Sequence, residues 1–283
     1  MQQNPNALPN GTFLQSGKYH ILETIGSGGF GITYLVENRH TKQQQVIKEL
    51  FLSVSGMTCT REGTNLVFYT TNPKFQFSRF KENFRKEAGV LLKLKKVTGV
   101  VNVIAIFEEN DTIYFAMDWI DGQNLQQWTS EKNDRSSPYY IEQCVVWAMN
   151  AAFIVHGVHR EGVLHRDIKP QNMMVVPKTG QLVLIDFGIA RDFVEGETQT
   201  QTAMQSPGYS PPEQWELKAQ RGAYTDVYSL GATLYFLLTG RTPPENSDQR
   251  IVRKGLDGGW EPIHFNKNIP EGLNAIIIHA MQP

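Results

Sequence analysis

The feature that most constrains this chain is a polar stretch with one proline in it, Leu164-His165-Arg166-Asp167-Ile168-Lys169-Pro170-Gln171-Asn172. Pro170 excludes an ordinary helix here because it has no N–H group and restricts the residue before it, so an ordered loop is predicted. Within this loop, Asp167 can accept a proton and Lys169 can neutralise a transferring phosphate. Asn172 can bind a hard cation through its oxygen.

A second motif, Ile185-Asp186-Phe187-Gly188, follows closely. The apolar run 182–185 predicts a short buried strand that delivers Asp186 at its end. Magnesium prefers one or two protein oxygens together with substrate phosphates. Asn172 and Asp186 therefore predict a magnesium site.

In this order and at this spacing, the two motifs resemble the catalytic loop of protein kinases, H-R-D-x-K-x-x-N, and the D-F-G metal motif behind it. The resemblance implies an α+β, two-lobed fold, with a five-stranded N-lobe sheet, one main helix and a mostly helical C-lobe. It divides the chain into a flexible leader (1–18), an N-lobe with hinge (19–120) and a C-lobe (121–283). The C-lobe is expected to be incomplete, with its last helix truncated.

A glycine-rich segment lies between two predicted strands: Gly26, Ser27, Gly28, Gly29, Phe30 and Gly31. Glycines let backbone amides approach phosphates because no Cβ stands in the way. The pattern alone equally suggests a dinucleotide-binding turn, but that turn needs a helix directly after the glycines. Here the run 32–36 is rich in branched and aromatic residues and predicts a strand. The segment therefore resembles the kinase loop that covers the phosphates of ATP.

Lys48 ends a third predicted strand, at the position of the kinase lysine that holds the α and β phosphates. On composition alone, a solvated edge lysine is the alternative. Its expected partner is a glutamate on an amphipathic helix with apolar residues every three to four positions, at Phe77, Phe80, Phe84, Ala88 and Leu91. Glu87 falls within about 20° of that apolar face, whereas Glu82 points away from it. We predict that Glu87 pairs with Lys48 and that Glu82 lies on the surface.

The resemblance also implies an adenine pocket. Its hinge backbone is expected at Asp118 and Ile120, with Met117 at the back of the pocket. Further lining is expected from Ile25, Thr33, Val46 and Met174. The family usually has Val at position 33 and Ala at position 46, so the pocket is expected to be slightly narrower.

The segment 191–205 is polar and resembles an activation loop, with Thr198, Thr200 and Thr202 as candidate phosphorylation sites. Arg166 is the residue that typically receives such a phosphate, through charge-assisted bidentate contacts. The segment 206–213 resembles the substrate-docking turn of serine/threonine kinases. Ser206 takes the place of a threonine that supports Asp167 and Lys169, and Asp226 matches the buried aspartate that braces the catalytic loop.

Residues 50–76 form an insert between Lys48 and the main helix that is longer than is usual in the family. Its turn-rich middle and its apolar ends predict a small hairpin. A surface decoration and a docking or regulatory element both remain open as its role.

Composition limits the partners and the location. The net charge of −1 indicates no long-range attraction to nucleic acid or to an anionic membrane. Cys59 and Cys144 suggest neither a disulfide framework nor a thiolate metal site. We see no signal peptide and no apolar run that approaches the length of a membrane span, so a cytoplasmic location is predicted.

Together these features predict an ATP- and Mg²⁺-dependent protein kinase that acts on serine or threonine hydroxyls of protein substrates. Regulation by activation-loop phosphorylation is expected, and self-association for phosphorylation in trans is compatible with it. A pseudokinase scaffold is the alternative, although the chain keeps Lys48, Asp167 and Asp186, which such proteins usually lose. A small-molecule kinase is a second alternative, which the docking turn argues against. The insert and the H-R-D-I-K-P-Q-N motif most resemble bacterial serine/threonine kinases.

Overall fold

The computed structural model describes residues 4–54, 57–68, 73–132, 134–187, 206–211, 214, 222–244 and 259–282. The chain divides into two compact units. The first comprises 1–95, 101–119 and 189–203, and the second comprises 96–100, 120–188 and 204–283.

The first unit is built on an antiparallel sheet with strand order β1-β2-β3-β4-β9-β8. Its strands are β1 (Phe13–Leu14), β2 (Tyr19–Gly28), β3 (Gly31–Asn38), β4 (Gln44–Leu50), β8 (Val103–Glu109) and β9 (Thr112–Asp118). The smaller sheet of the insert holds β5 (Ser53–Val54), β6 (Met57–Glu62) and β7 (Asn65–Phe68). The helix α1 (Pro73–Lys93) follows the insert, and a 3₁₀ turn (Leu94–Lys96) ends it.

The leader differs from the loose segment predicted for residues 1–18. Leu8 and Leu14 are fully buried, and Phe13–Leu14 pairs with the start of β2. The sheet therefore has six strands instead of the five expected. The reason is that burying two leucine side chains and closing a strand edge outweighs the polar composition of the leader.

The insert forms the predicted hairpin. β6 and β7 pair in register from Cys59 opposite Phe68 to Glu62 opposite Asn65. The side chains of Cys59 in β6 and Leu66 in β7 are buried. Cys59 and Cys144 are both buried free thiols.

The second unit is mostly helical. Its helices are α2 (Leu125–Ser130), α3 (Pro138–Arg160), α4 (Ala223–Thr239), α5 (Pro262–Phe265) and α6 (Glu271–Ala280). Three short strands, β10 (Gln123–Asn124), β11 (Met173–Val175) and β12 (Leu182–Leu184), form an antiparallel sheet. The core of the unit gathers the buried side chains of α3 and α4, including Tyr140, Trp147, Ile154, Tyr228, Tyr235 and Leu238.

The helix α3 is long and apolar enough to cross a membrane, by length and composition only. The expectation that no apolar run approaches this length is therefore wrong for α3. Part of its apolar character serves the core, because Cys144 and Ala151 are fully buried there, while Met149 and Phe153 are exposed. Tyr140 also donates a hydrogen bond to the Leu237 carbonyl at the end of α4. We interpret α3 as a core helix of this unit.

Candidate active site

A carboxylate, an ammonium and a hydroxyl meet at the predicted catalytic loop. Lys169 Nζ lies 2.9 Å from Asp167 Oδ2 and 3.0 Å from Ser206 Oγ. Ser206 Oγ in turn donates to Asp167 Oδ1 at 2.9 Å. Asp167 is only 10% exposed, so both of its carboxylate oxygens are oriented by fixed partners before any substrate arrives.

A buried carboxylate on α4 holds the backbone of this loop. Asp226 is fully buried and accepts the amides of His165 (2.9 Å) and Arg166 (2.7 Å). Burial alone would raise the pKa of Asp226, but these bonds and a 2.7 Å contact with His159 Nε2 outweigh burial and lower it. The predicted bracing role of Asp226 is confirmed by this geometry. His159 in α3 contacts the same carboxylate and so helps to hold it in place.

Two residues of the site adopt backbone angles that L-residues rarely populate. Arg166 has φ 65° and Asp186 has φ 53°. Such conformations cost free energy and persist where surrounding contacts determine them, often at functional sites. At Arg166, one such contact is the hydrogen bond that its backbone N–H donates to Asp226. Another is the hydrogen bond that the Gln214 side chain donates to the Arg166 carbonyl.

His165 is fully buried, and its ring lies 4.2 Å from that of Phe187, between ring centroids. Its Nδ1 atom accepts a hydrogen bond from the Asp167 amide at 3.3 Å. A side chain in this environment supports the loop from inside.

Asn172 and Asp186, the predicted magnesium ligands, lie side by side. The Asn172 amide nitrogen donates to the Asp167 carbonyl (2.8 Å) and to Asp167 Oδ2 (2.9 Å), and it lies 3.4 Å from the Asp186 carbonyl. With the nitrogen directed to Asp167, the amide oxygen is the atom that can bind a cation. The amide oxygen of asparagine and the carboxylate of aspartate are ligand types that a hard ion such as Mg²⁺ prefers. The residues present therefore fit the predicted metal, whose binding stays a prediction.

In the first unit, Lys48 Nζ lies 3.3 Å from Glu87 Oε1. Glu87 is nearly inaccessible at 2%, so its charge requires a cation nearby. Glu82 is exposed and lies 3.2 Å from Lys86 one turn along the same helix. The structure places both glutamates as the helix periodicity predicted.

Three residues of the predicted adenine pocket, Thr33, Val46 and Met117, lie on the same face of the large sheet as Lys48. Thr33 lies directly opposite Lys48 and also opposite Gly26, while Val46 lies opposite Met117. Directly opposed residues of antiparallel strands project to the same side of a sheet. Ile25 lies at an irregularity of β2, and Asp118 ends β9. Ile120 and Met174 belong to the second unit, with Met174 in β11.

The glycine-rich segment is the turn of the hairpin formed by β2 and β3, where Gly28 pairs with Gly31. A Cβ added at Gly28 would have no atom within 4 Å, so this backbone faces open space that a phosphate can enter. A Cβ at Gly31 would lie 2.8 Å from the carbonyl oxygen of Glu49. Gly31 is therefore required by the close approach of β4 whatever the ligand.

Several predictions lie outside the described residues. These are Gly188, the candidate phosphorylation sites Thr198, Thr200 and Thr202, and Glu213.

Comparisons with known proteins identify the family of this chain. The model of the protein kinase domain matches residues 19–275. Serine/threonine-protein kinase C of Synechocystis sp. is 32% identical over 81% of this chain, and serine/threonine-protein kinase PknA of Nostoc sp. is 31% identical over 82%. The chain spans only 40% and 39% of the length of these two relatives.

Solved structures give the same result for the fold. The apo form of PpkA-294 aligns with a TM-score of 0.78 at 26% identity, covering 98% of this chain and 93% of that one. The kinase domain of Mycobacterium tuberculosis PknI aligns with a TM-score of 0.65 at 21% identity, over 98% of this chain and 92% of that one, which bears on the fold alone. The predicted two-lobed kinase fold and the likeness to bacterial serine/threonine kinases are confirmed. With the family model covering most of its length, this chain belongs to the protein kinase domain family.

Proposed function

We propose that this chain is an active kinase that transfers the γ-phosphate of ATP to serine or threonine hydroxyls of proteins. The observation that carries the proposal is the closed triangle of Asp167, Lys169 and Ser206, with every separation between 2.9 and 3.0 Å. A scaffold that only binds nucleotide has no need of a carboxylate oriented in this way.

In this mechanism, the substrate hydroxyl oxygen attacks the γ-phosphorus and the bond from phosphorus to the ADP oxygen breaks. Asp167 orients the hydroxyl and accepts its proton, while Lys169 stabilises negative charge on the transferring phosphoryl group. Because the transition state of phosphoryl transfer is loose, positioning and electrostatics supply most of the rate enhancement. Ser206 contributes by holding both groups at hydrogen-bond distance.

The first unit supplies the groups proposed to hold the nucleotide. Lys48 contacts the α and β phosphates and is held in place by Glu87. The backbone amides from Gly26 to Gly31 cover the phosphates. Val46 and Met117, both nearly buried and opposite each other, offer an apolar surface for adenine.

Asn172 and Asp186 would hold Mg²⁺, which when bound neutralises charge on the β and γ phosphates. The Asn172 amide nitrogen bonded to Asp167 links the metal-binding side chain to the proton acceptor. A displacement of Asn172 therefore disturbs two functions together.

Regulation and location complete the proposal. We propose phosphorylation of Thr198, Thr200 or Thr202, recognised by Arg166, with transfer between two copies of the chain in a cytoplasmic setting. Intact-mass measurement before and after incubation with ATP tests the modification. Dependence of its initial rate on the square of protein concentration would support transfer in trans.

The decisive experiment measures phosphate transfer from ATP with magnesium to a generic protein substrate. The Asp167→Asn variant is expected to lose transfer, whereas Asp134→Asn, which changes an exposed carboxylate that accepts hydrogen bonds from Ser136, is expected to retain it. Phosphoamino-acid analysis should find phosphoserine or phosphothreonine. Nucleotide binding by the parent without any transfer would refute the proposal and favour a scaffold.

A further inference from the structure

The start of the insert is bonded to the tip of the glycine-rich hairpin. After β4 ends, the Ser53 amide donates to the Gly29 carbonyl at 2.8 Å, and the Phe51 amide approaches the Phe30 carbonyl at 3.4 Å. These bonds continue the pairing of β3 with β4, which begins with Gly31 opposite Leu50. The β3 arm of the glycine-rich hairpin is thus hydrogen-bonded to β4 and, at the tip, to the start of the insert.

The leader holds the hairpin from another position. The Asn4 side-chain nitrogen donates to Ser27 Oγ at 2.7 Å. Further along, the Leu8 amide donates to the hydroxyl of Tyr34, which lies in the β3 arm of the same hairpin. The hairpin predicted to cover phosphates therefore has side-chain and backbone ties to the leader as well as to the insert.

A buried charge beneath these contacts links the leader and the insert. Glu49 is fully buried and accepts hydrogen bonds from Tyr34 (2.6 Å) and Tyr114 (2.8 Å). Arg61, from the insert, places Nη2 2.8 Å from both carboxylate oxygens. Burial and then the charge of Glu49 raise the pKa of both tyrosines, so they remain hydrogen-bond donors at ordinary pH.

Arg61 uses each of its nitrogens for a different segment. While Nη2 pairs with Glu49, Nε donates to the Asn6 carbonyl in the leader (2.8 Å) and Nη1 to the Thr64 carbonyl in the insert turn (2.5 Å). A lysine could pair with the carboxylate, but it has no planar fork that also reaches two carbonyls. Arg61 is therefore the residue that joins leader, insert and sheet.

The same hairpin also contacts the helix that carries Glu87. At the tip, the ring of Phe30 stacks near that of Phe80 in α1, with 6.3 Å between centroids. Glu87 follows two turns later and pairs with Lys48. The position of the tip is thereby linked to the helix that orients the proposed phosphate-binding lysine.

We propose that leader residues 4–14 and insert residues 51–54 and 57–68 form a brace that positions the glycine-rich hairpin for nucleotide phosphates, with Arg61 as its central positioning residue. This inference rests on the proposed function, since it concerns how the hairpin receives ATP. It assigns the insert a role in positioning. A surface decoration would not bury an ion pair or bond to the hairpin tip.

Two substitutions loosen the brace in different places. Ser53→Pro removes the amide that donates to Gly29, while Ser53→Ala keeps that amide and is its matched control. Arg61→Lys keeps the charge beside Glu49 and loses the bonds to Asn6 and Thr64. For each of the two, loss of one or two hydrogen bonds predicts an increase of about two- to tenfold in hydrogen exchange of amides 26–33 and in the KM for ATP. We expect kcat to change less than twofold and Ser53→Ala to behave as the parent.

Hydrogen exchange on the full chain without nucleotide separates this inference from the proposed function. Unchanged exchange at residues 26–33 in both Ser53→Pro and Arg61→Lys would overturn the brace, whatever the activity. If the parent transfers no phosphate but both variants show faster exchange at residues 26–33, the brace stands and the kinase proposal is refuted. A reduced kcat with an unchanged KM for ATP in these variants would indicate general damage to the protein. That result would also overturn the positioning role.

Discussion

Replacing Asp226 by asparagine is the most direct test of how Asp226 anchors the catalytic loop. The carboxylate accepts the His165 amide and His159 on Oδ2 and the Arg166 amide on Oδ1, all within 2.9 Å. Asparagine has the same shape, but one oxygen becomes an NH₂ group that faces a donor. We expect the loop to lose one anchor and the Arg166 backbone, with its φ of 65°, to relax.

The expected cost follows from these contacts. One hydrogen bond to a charged group is lost, worth about 1.5–3 kcal/mol, and one buried amide is left without its acceptor, which costs about 1–3 kcal/mol. The sum is about 2.5–6 kcal/mol, a large share of the roughly 5–15 kcal/mol by which domains are stable. The variant should therefore fold with a clearly lowered free energy of unfolding. Its phosphate transfer should fall because Asp167 directly follows the released amides.

The pH dependence of stability provides a second test, because the direction of the effect can be predicted. The folded-state pKa of Asp226 lies below its ordinary value of 3.8, so its stabilisation is fully present above about pH 4 and is lost as pH falls through the folded pKa. The asparagine side chain does not titrate, so the variant should lose less stability than the parent as the pH falls from about 5 to about 2. Urea unfolding at several pH values measures both effects. An unfolding free energy within about 0.5 kcal/mol of the parent, with an equally steep acid limb, would refute the reasoning.

Three further predictions concern the glycine-rich hairpin, Glu87 and Ser206. Gly28→Ala should leave the melting temperature unchanged and weaken ATP binding. Gly31→Ala should lower the melting temperature, because its Cβ would lie 2.8 Å from the β4 backbone. Equal melting temperatures of the two variants would contradict this. Glu87→Gln should reduce kcat/KM about tenfold or more, through loss of a charged partner, while Glu82→Gln on the exposed face should match the parent in the same assay. Ser206→Ala should lower kcat with little change in KM for ATP, and Ser206→Thr should restore it; a variant as active as the parent would show that this hydroxyl does not position Asp167.

The site was the most predictable part of the molecule. Asp167, Lys169 and Asn172 lie within six positions on a loop that Pro170 keeps from becoming a helix, so their proximity is local. Glu87 was also within reach of sequence reasoning, since helical periodicity alone places it on the apolar face and Glu82 away from it. The structure brings Lys48 and Glu87 together, and their catalytic roles stay predictions.

Some contacts between distant segments were not predicted. His159 in α3 contacts Asp226 in α4, and no local pattern in the sequence marks that pair. Glu49 went unnoticed beside Lys48, although a carboxylate directly before the apolar run 50–52 is the signal that could have revealed a buried ion pair. Composition likewise suggested a loose leader, since the two leucines that bury it are few among polar neighbours.

Residue types and their spacing over a few positions were enough to predict the family, the strand and helix periodicities and the groups that can do the chemistry. The three-dimensional fold was needed to show that the leader adds a sixth strand, that Arg61 pairs with Glu49 and that His159 contacts the Asp226 carboxylate. Each of these depends on where a polar or apolar group finds its partner across a long separation in the chain. Burial then makes that partner obligatory, since an unpaired charge or amide inside a protein costs more than the contact contributes.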